Sequence, residues 1–171
     1  MARAPLSRAE IAVLIPIVRE VFEYIGQLKR SKPLAKHIQY PKLPSILSES
    51  IVLLELQSGR LLPELADAEF SFGGKKADIL AQRKSDSELR IEVKATGRNA
   101  FQYFGEKDIG CDFLVWVHFG SFFETRRNSA VDALVIRRPS RHFAKPAKVN
   151  LSRIKTLIPD IESIRVAPLG E

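Results

Sequence analysis

The sequence predicts a single α/β domain, because helical spacing at its start gives way to strand patterns in its middle. Ser7-Arg8-Ala9-Glu10 has the form of a capping box, and the apolar residues after it recur at three- and four-residue spacing, which indicates a helix. Over residues 68–95 the pattern changes to alternation, with Gly73-Gly74 as a hairpin signal. Asp112–Phe119 is an almost continuous apolar run, as expected of a strand covered on both faces.

Helix-capping residues, helix-breaking residues and the spacing of apolar residues predict the individual elements. Pro16 is expected to kink or restart the first helix, and Ser45 is expected to cap the second, with Gly59 just past its end. The predicted order is a helix over 7–29, a basic connection over 31–44, a helix over 45–57, strands over 68–72, 76–82 and 89–95, a short helix within 99–108, strands over 112–119 and 132–137, and a last helix around 151–158.

Charge is distributed unevenly along the 171 residues, whose formal net charge is +7. Residues 1–44 carry eight basic and three acidic side chains, and residues 126–171 carry ten and four. Residues 45–125 carry nine basic and thirteen acidic side chains, a net of −4. Basic flanks suit a polyanion and an acidic centre suits a cation, although an ordinary solvated surface gives the same counts.

Cysteine content and hydropathy indicate the compartment. Cys111 is the only cysteine in the sequence, so no internal disulfide can form and a reducing compartment is expected. The apolar run from Ile11 to Val18 has eight residues, well short of the ~20 that span a bilayer. We therefore expect a cytoplasmic protein with no membrane partner.

Three charged residues on the second and third predicted strands form the candidate site. A turn centred on Ser85 places Asp78 across from Glu92, and alternation puts Glu92 and Lys94 on one face of the sheet. Two carboxylates suit Mg²⁺, and an adjacent amine can stabilise developing negative charge or orient and deprotonate an attacking water. The alternative is a hairpin that carries Glu and Lys on its solvent face without function.

This arrangement resembles the PD-(D/E)xK superfamily of restriction-endonuclease-like nucleases over about residues 45–119. The resemblance implies a mixed central β-sheet flanked by α-helices. It also implies that Asp78 and Glu92 bind Mg²⁺ together with the Val93 carbonyl, that Mn²⁺ can substitute, and that Lys94 is the catalytic lysine.

A helical acid completes the site that the resemblance implies. Glu49, on the second predicted helix, would aid a metal or orient the site. Glu55 on the same helix is the competing candidate, and an ordinary exposed carboxylate is the alternative for Glu49. The number of metal ions, one or two, depends on whether Glu49 reaches the site.

Polar and basic side chains after the third strand and in the C-terminal region are candidates for DNA contact. Near Lys94 they could equally start a polar helix with Asn99 as its cap, and the others could form a solvated face. The candidate DNA-binding residues are Arg98, Asn99, Gln102, Arg126, Arg127, Arg137, Arg138 and Arg141.

The resemblance implies a Mg²⁺-dependent DNA endonuclease, most like a small type II restriction endonuclease that cuts double-stranded DNA. Residues 1–171 would form one nuclease domain, with a basic helical segment over 1–44, a catalytic core over 45–119 and a basic segment over 120–171. One active site per protomer implies a homodimer. The alternatives are a Holliday-junction resolvase or DNA-repair nuclease of the same fold, and a noncatalytic nucleic-acid-binding module.

Overall fold

The computed structural model describes residues 4–84, 87–98, 100–125 and 129–168. These ranges contain four α-helices and eight β-strands, so the predicted α/β class is confirmed. The helices are α1 Arg8–Ser31, α2 Ser45–Gln57, α3 Glu106–Ile109 and α4 Leu151–Leu157. The strands are β1 Glu69–Phe72, β2 Ile79–Gln82, β3 Glu88–Thr96, β4 Gln102–Phe104, β5 Phe113–His118, β6 Val131–Arg137, β7 Ala147–Val149 and β8 Glu162–Val166.

A central mixed sheet of six strands organises the described chain, in the order β1-β2-β3-β5-β6-β8. β3 pairs with β5 in parallel, and every other neighbouring pair in this sheet is antiparallel. β4 and β7 form a separate two-stranded antiparallel ribbon. The predicted three-strand meander is therefore confirmed as β1 to β3.

Both faces of the sheet are covered, as the apolar run of β5 predicts. Val115 and Val117 pack in a cluster that includes residues of α1 and α2, and we call this side of the sheet the helix face. Leu114 and Trp116 point the other way, into a cluster with residues of β4, β7 and α4, which we call the ribbon face. Alternation along a strand produces this division, because successive side chains lie on opposite faces.

The pairing of β2 with β3 has the register that the sequence predicts. Ile79 lies opposite Ile91 and Gln82 opposite Glu88, a register that extends to Asp78 opposite Glu92. Ile91 and Val93 pack in the core of the helix face. Glu92 and Lys94 are thereby directed to the ribbon face.

The first two helices differ from expectation, α1 at the helix-breaking residue Pro16 and α2 at the expected cap Ser45. α1 begins with the predicted capping box of Ser7 and Glu10, but it runs to Ser31 without restarting at Pro16. Pro16 is exposed, so its ring faces solvent while the opposite side of the helix packs on the sheet. Ser45 is the first residue of α2 rather than its cap, because the Leu47 N–H already donates to the Pro44 carbonyl at 3.0 Å.

The Gly73-Gly74 pair does not form the predicted two-residue hairpin. β1 ends at Phe72 and β2 starts only at Ile79, so the strand expected from residue 76 begins later. Two hydrogen bonds of 3.2 Å close this longer loop, from Lys76 N–H to the Gly73 carbonyl and from Gly73 N–H to the Asp78 carbonyl. Asp78 is therefore at the end of a loop, immediately before its strand.

The segment after β3 also differs from expectation. The short helix predicted within residues 99–108 forms only at the end of that segment, as α3 with four residues, and β4, which was not predicted, precedes it. β4 forms because Gln102–Phe104 pairs with β7, which lies more than 40 residues away in the chain. The sequence analysis also missed β7 and β8, whereas α4 lies where the last helix was expected.

None of the helices in the described residues combines the length and the apolar character that a bilayer crossing demands.

Trp116 is fully buried, and its Nε1–H donates to Thr96 Oγ1 at 3.0 Å across the β3–β5 pair. We expect Thr96→Val to lower the free energy of unfolding by about 1–3 kcal/mol, because it leaves a buried donor without an acceptor. Thr96→Ser keeps the acceptor and is the matched control. Denaturant titration of the three proteins measures the difference, and equal stability of the Val and Ser variants would contradict this role.

His118 ends β5 and is 5% exposed. Burial lowers its pKa below the ordinary value of 6.5. The charge of Asp132 opposes this shift, and the charge of Lys155 adds to it. The unfolded chain then binds the proton more readily, so stability present above pH 6.5 is lost as the pH falls towards the lowered pKa. We expect His118→Gln to make the free energy of unfolding less sensitive to acid as the pH falls below 6.5. Parallel pH profiles for the two proteins would contradict the prediction.

Candidate functional site

Asp78 and Glu92 share one cation, the ammonium group of Lys107. Lys107 Nζ lies 3.0 Å from Glu92 Oε1 and 3.6 Å from Asp78 Oδ1. The other oxygen of Asp78 accepts a hydrogen bond of 2.8 Å from the Val93 N–H, which holds the carboxylate against β3. The register of β2 and β3 therefore brings the two predicted carboxylates to one cation.

Lys94 is held beside this pair by a third carboxylate. Its Nζ lies 2.9 Å from Asp108 Oδ1. Asp108 is 4% exposed, and its other oxygen accepts a hydrogen bond of 2.8 Å from the Gly105 N–H. The carboxylate is thus anchored to the backbone at the start of α3, which fixes where the Lys94 ammonium lies.

The topology explains why Lys107 and Asp108 reach the strand residues. β3 and β5 are parallel, so the chain between them must cross one face of the sheet. It crosses the ribbon face, and α3 lies at the end of this crossing. Two consecutive residues of α3 consequently face the two charged residues of β3.

Burial and like charges make Glu92 an unusual carboxylate. It is 2% exposed, and burial raises its pKa to about 7. The hydrogen bond from Lys107 opposes that rise, while the charges of Asp78 and Asp108 add to it. The pKa of Lys107 is also raised, because its contacts with Glu92 and Asp78 outweigh the lowering effect of burial.

Cys111 lies close to these acids but is unsuited to nucleophilic chemistry. Burial raises its pKa to about 12, and the charges of Glu92, Asp108 and Asp112 add to the effect. Its Sγ–H is within 2.9 Å of the Asp108 carbonyl. A protonated, buried thiol is inert, so Cys111 belongs to the packing of the ribbon face.

The donor set of Asp78 and Glu92 fits Mg²⁺ or Mn²⁺ in type. Magnesium is commonly held by one or two carboxylates together with phosphate and water, and the Val93 carbonyl is the third protein oxygen that the resemblance implies. Among the described residues, no three Asp, Glu, His or Cys side chains are grouped for metal binding. Lys107 would have to leave its position between the two carboxylates for a divalent cation to bind there.

The two helical acids have different surroundings. Glu55 is 3% exposed and lies 2.8 Å from Arg60 and 3.9 Å from Arg8, measured between Oε1 and Nη2 atoms. These contacts make Glu55 part of a structural ion pair. Glu49 is 7% exposed on α2, and the acids whose charges act on Glu92 are Asp78 and Asp108. Asp108 is thus a third carboxylate near the pair, and the role of Glu49 in the site stays a prediction.

The predicted DNA-binding residues that the structure describes do not form one surface. Arg98 pairs with Glu124 and lies 4.2 Å from the centre of the Tyr40 ring, near the site, and Gln102 is on β4. Arg137 pairs with Glu64 and Glu162 and lies over Phe113 of the helix face. Arg138 and Arg141 are exposed at the end of β6, and Asn99, Arg126 and Arg127 lie outside the described residues.

A groove of about 640 Å³ opens beside Lys94. The segment before α2 forms one wall, and the end of β3 and the start of β4 form the other. Its described lining contains no Asp or Glu, and its charged residues are Lys42, Lys94 and Arg98. Gly97 allows this close approach, because a Cβ there would lie 2.8 Å from the Phe22 ring.

No protein-family model, curated protein or solved structure matches this chain.

Lys107 and Asp108 are the site residues that the sequence analysis missed. The signal available was the Glu-Lys-Asp sequence of residues 106–108, a charged cluster just before the buried strand β5. That cluster could be assigned to the site only if the face of the sheet that the connection crosses were known. The candidate site thus consists of Asp78, Glu92 and Lys94, as predicted, together with Lys107 and Asp108.

Lys107→Ala is expected to strengthen binding of Mn²⁺ by roughly 10- to 100-fold, because it removes a charge-assisted competitor for both carboxylates. Isothermal titration with Mn²⁺ measures the affinity. Lys76→Ala, which removes an exposed partner of Glu88 on the same hairpin, is the matched control and should leave it unchanged. An unchanged or weaker affinity of the Lys107 variant would show that the carboxylates do not form the cation site.

Proposed function

We propose that this protein is a Mg²⁺-dependent DNA endonuclease. The observation that carries the proposal is the convergence of Asp78 and Glu92 on one ammonium group, with Lys94 on the same face of β3. Buried like charges are unfavourable without a cation between them, so the pair is suited to hold one. The acid-free groove beside Lys94 suits a phosphodiester backbone.

Each residue has a distinct part in the proposed hydrolysis. Asp78 and Glu92 would hold the divalent cation, with the Val93 carbonyl as a further oxygen. When bound, Mg²⁺ supplies charge that polarises a phosphodiester oxygen and lowers the pKa of a water molecule. The Val93 N–H orients the Asp78 carboxylate, so that one of its oxygens remains directed to the cation.

Lys94 is the proposed catalytic lysine. Its ammonium can donate to the phosphoryl oxygens, where negative charge increases in the transition state, or orient the attacking water. Asp108 is a positioning residue, since it contacts Lys94 and is itself anchored by the Gly105 N–H.

The biological role within this chemistry depends on the DNA substrate. Restriction of double-stranded DNA, as in a type II enzyme, would require two copies of the chain to cut both strands, and hence a homodimer on DNA. A Holliday-junction resolvase would prefer four-way junctions, and a repair nuclease would prefer damaged or partly unpaired DNA.

A noncatalytic nucleic-acid-binding module is the second candidate. The observation that favours it is the Lys107 ammonium, which already pairs with both carboxylates. In this case the basic groove would bind DNA while the charged cluster serves only as a structural ion-pair network. DNA binding without cleavage in either Mg²⁺ or Mn²⁺ would support this candidate.

The test is incubation of the purified protein with plasmid, phage, single-stranded and four-way-junction DNA, in Mg²⁺, Mn²⁺ or EDTA, followed by electrophoresis. We expect cleavage that depends on the divalent cation. Discrete fragments from phage DNA would indicate restriction, and preference for a junction would indicate a resolvase. Absence of cleavage of all four substrates would overturn the nuclease proposal.

Site variants link the activity to the residues. Asp78→Asn, Glu92→Gln and Lys94→Ala are each expected to lower the cleavage rate by about 100-fold or more while DNA binding is retained. Glu88→Gln makes the same amide substitution at an exposed position on the same strand, and it should leave the rate unchanged. A wild-type rate in any of the three site variants would refute that residue's assignment.

A further inference from the structure

We propose that the groove beside Lys94 binds an unpaired stretch of DNA, whose bases stack on Phe101 and Tyr103. This inference rests on the proposed function, because it names the form of DNA presented to the same site. The feature that prompts it is the exposure of two aromatic side chains at the groove, 57% for Phe101 and 59% for Tyr103. Exposed aromatic rings beside cationic groups are the usual means of binding single strands.

The β4–β7 ribbon presents these rings. Tyr103 is the outward-facing residue of β4, while Phe104 beside it is buried in the ribbon-face core. Lys148 of β7 lies directly opposite Tyr103, and its Nζ is 5.1 Å from the centre of the Phe101 ring. The outer surface of the ribbon and the residue before it therefore combine two rings with a cation, and Phe104 anchors β4 in the core.

The charges around the platform match a DNA backbone rather than an apolar partner. Lys42, Lys94 and Arg98 line the groove, and Lys148 borders the ring of Phe101. No carboxylate is among the described residues of the lining. A single strand offers the complementary surface, with phosphates for the cations and an open base face for each ring.

Continuity with the candidate site favours an unpaired strand over an intact duplex. Lys94 belongs both to the site and to the groove lining, and Phe101 and Tyr103 follow it closely in the chain and line the same groove. Its volume of about 640 Å³ lies within the roughly 300–1,000 Å³ of small-molecule sites. Paired bases do not expose the faces that such rings contact.

The test measures binding separately from cleavage. A fluorescein-labelled DNA strand of about 12 nucleotides, its duplex and the RNA strand of the same sequence are titrated with protein in EDTA, and anisotropy gives each affinity. We expect the DNA strand to bind more tightly than the duplex. Phe101→Ala and Tyr103→Ala should each weaken its binding roughly 5- to 100-fold, the range for loss of one base stack.

Two further variants make the result specific. Tyr24→Ala removes an aromatic side chain that is 63% exposed on α1, outside the groove, and should leave the affinity unchanged. Phe101→Trp preserves a stacking surface, so it should retain binding and its fluorescence should be quenched by the DNA strand. All replaced side chains are exposed, and equal melting temperatures will show that each variant is folded.

The outcomes separate this inference from the proposed function. Tight, aromatic-dependent binding without cleavage in Mg²⁺ or Mn²⁺ would support the inference and overturn the nuclease proposal. Cleavage with wild-type binding and rates in both alanine variants would overturn the inference alone. Duplex binding as tight as that of the single strand, or tighter binding of the RNA strand, would also overturn it.

Discussion

The parallel pairing of β3 with β5 obliges the chain between Thr96 and Phe113 to cross one face of the sheet. That crossing carries the end of the groove, strand β4 and helix α3 over the ribbon face. It brings Lys107 and Asp108 onto the charged residues of β3, and it leaves Phe101 and Tyr103 exposed beside them. The connection between β3 and β5 thus contributes residues to both the candidate site and the groove.

Electrostatics gives the resulting cluster an excess of negative charge. Three carboxylates, those of Asp78, Glu92 and Asp108, meet two ammonium groups, those of Lys94 and Lys107. One negative charge remains in excess in a largely buried setting. Burial raises the pKa of Glu92, and the charges of Asp78 and Asp108 add to the rise. Exchanging one ammonium for a divalent cation would cancel that excess, so the same geometry would suit either a nuclease or an ion-pair network.

In the folded structure, ion pairs compensate part of the basic charge that is counted along the chain. Several basic residues of the flanks or groove pair with acids of the central region, as Arg8 does with Glu55 and Arg137 with Glu64. Their charge is therefore compensated and contributes less to a polyanion-binding surface than the sequence count suggests. The cations that line the groove are Lys42, Lys94 and Arg98, of which Lys94 pairs with Asp108 and Arg98 with Glu124.

Local patterns in the sequence determined the α/β class, the meander and the register that pairs Asp78 with Glu92, because turn position and alternation operate over a few residues. The buried strand β5 was also determined, since its apolar run fits a strand covered on both faces. Only the tertiary structure decided that Lys107 and Asp108 join the site and that β4 pairs with the distant β7. These contacts depend on which face the crossing connection takes and on partners far away in the chain, which short-range periodicity does not encode.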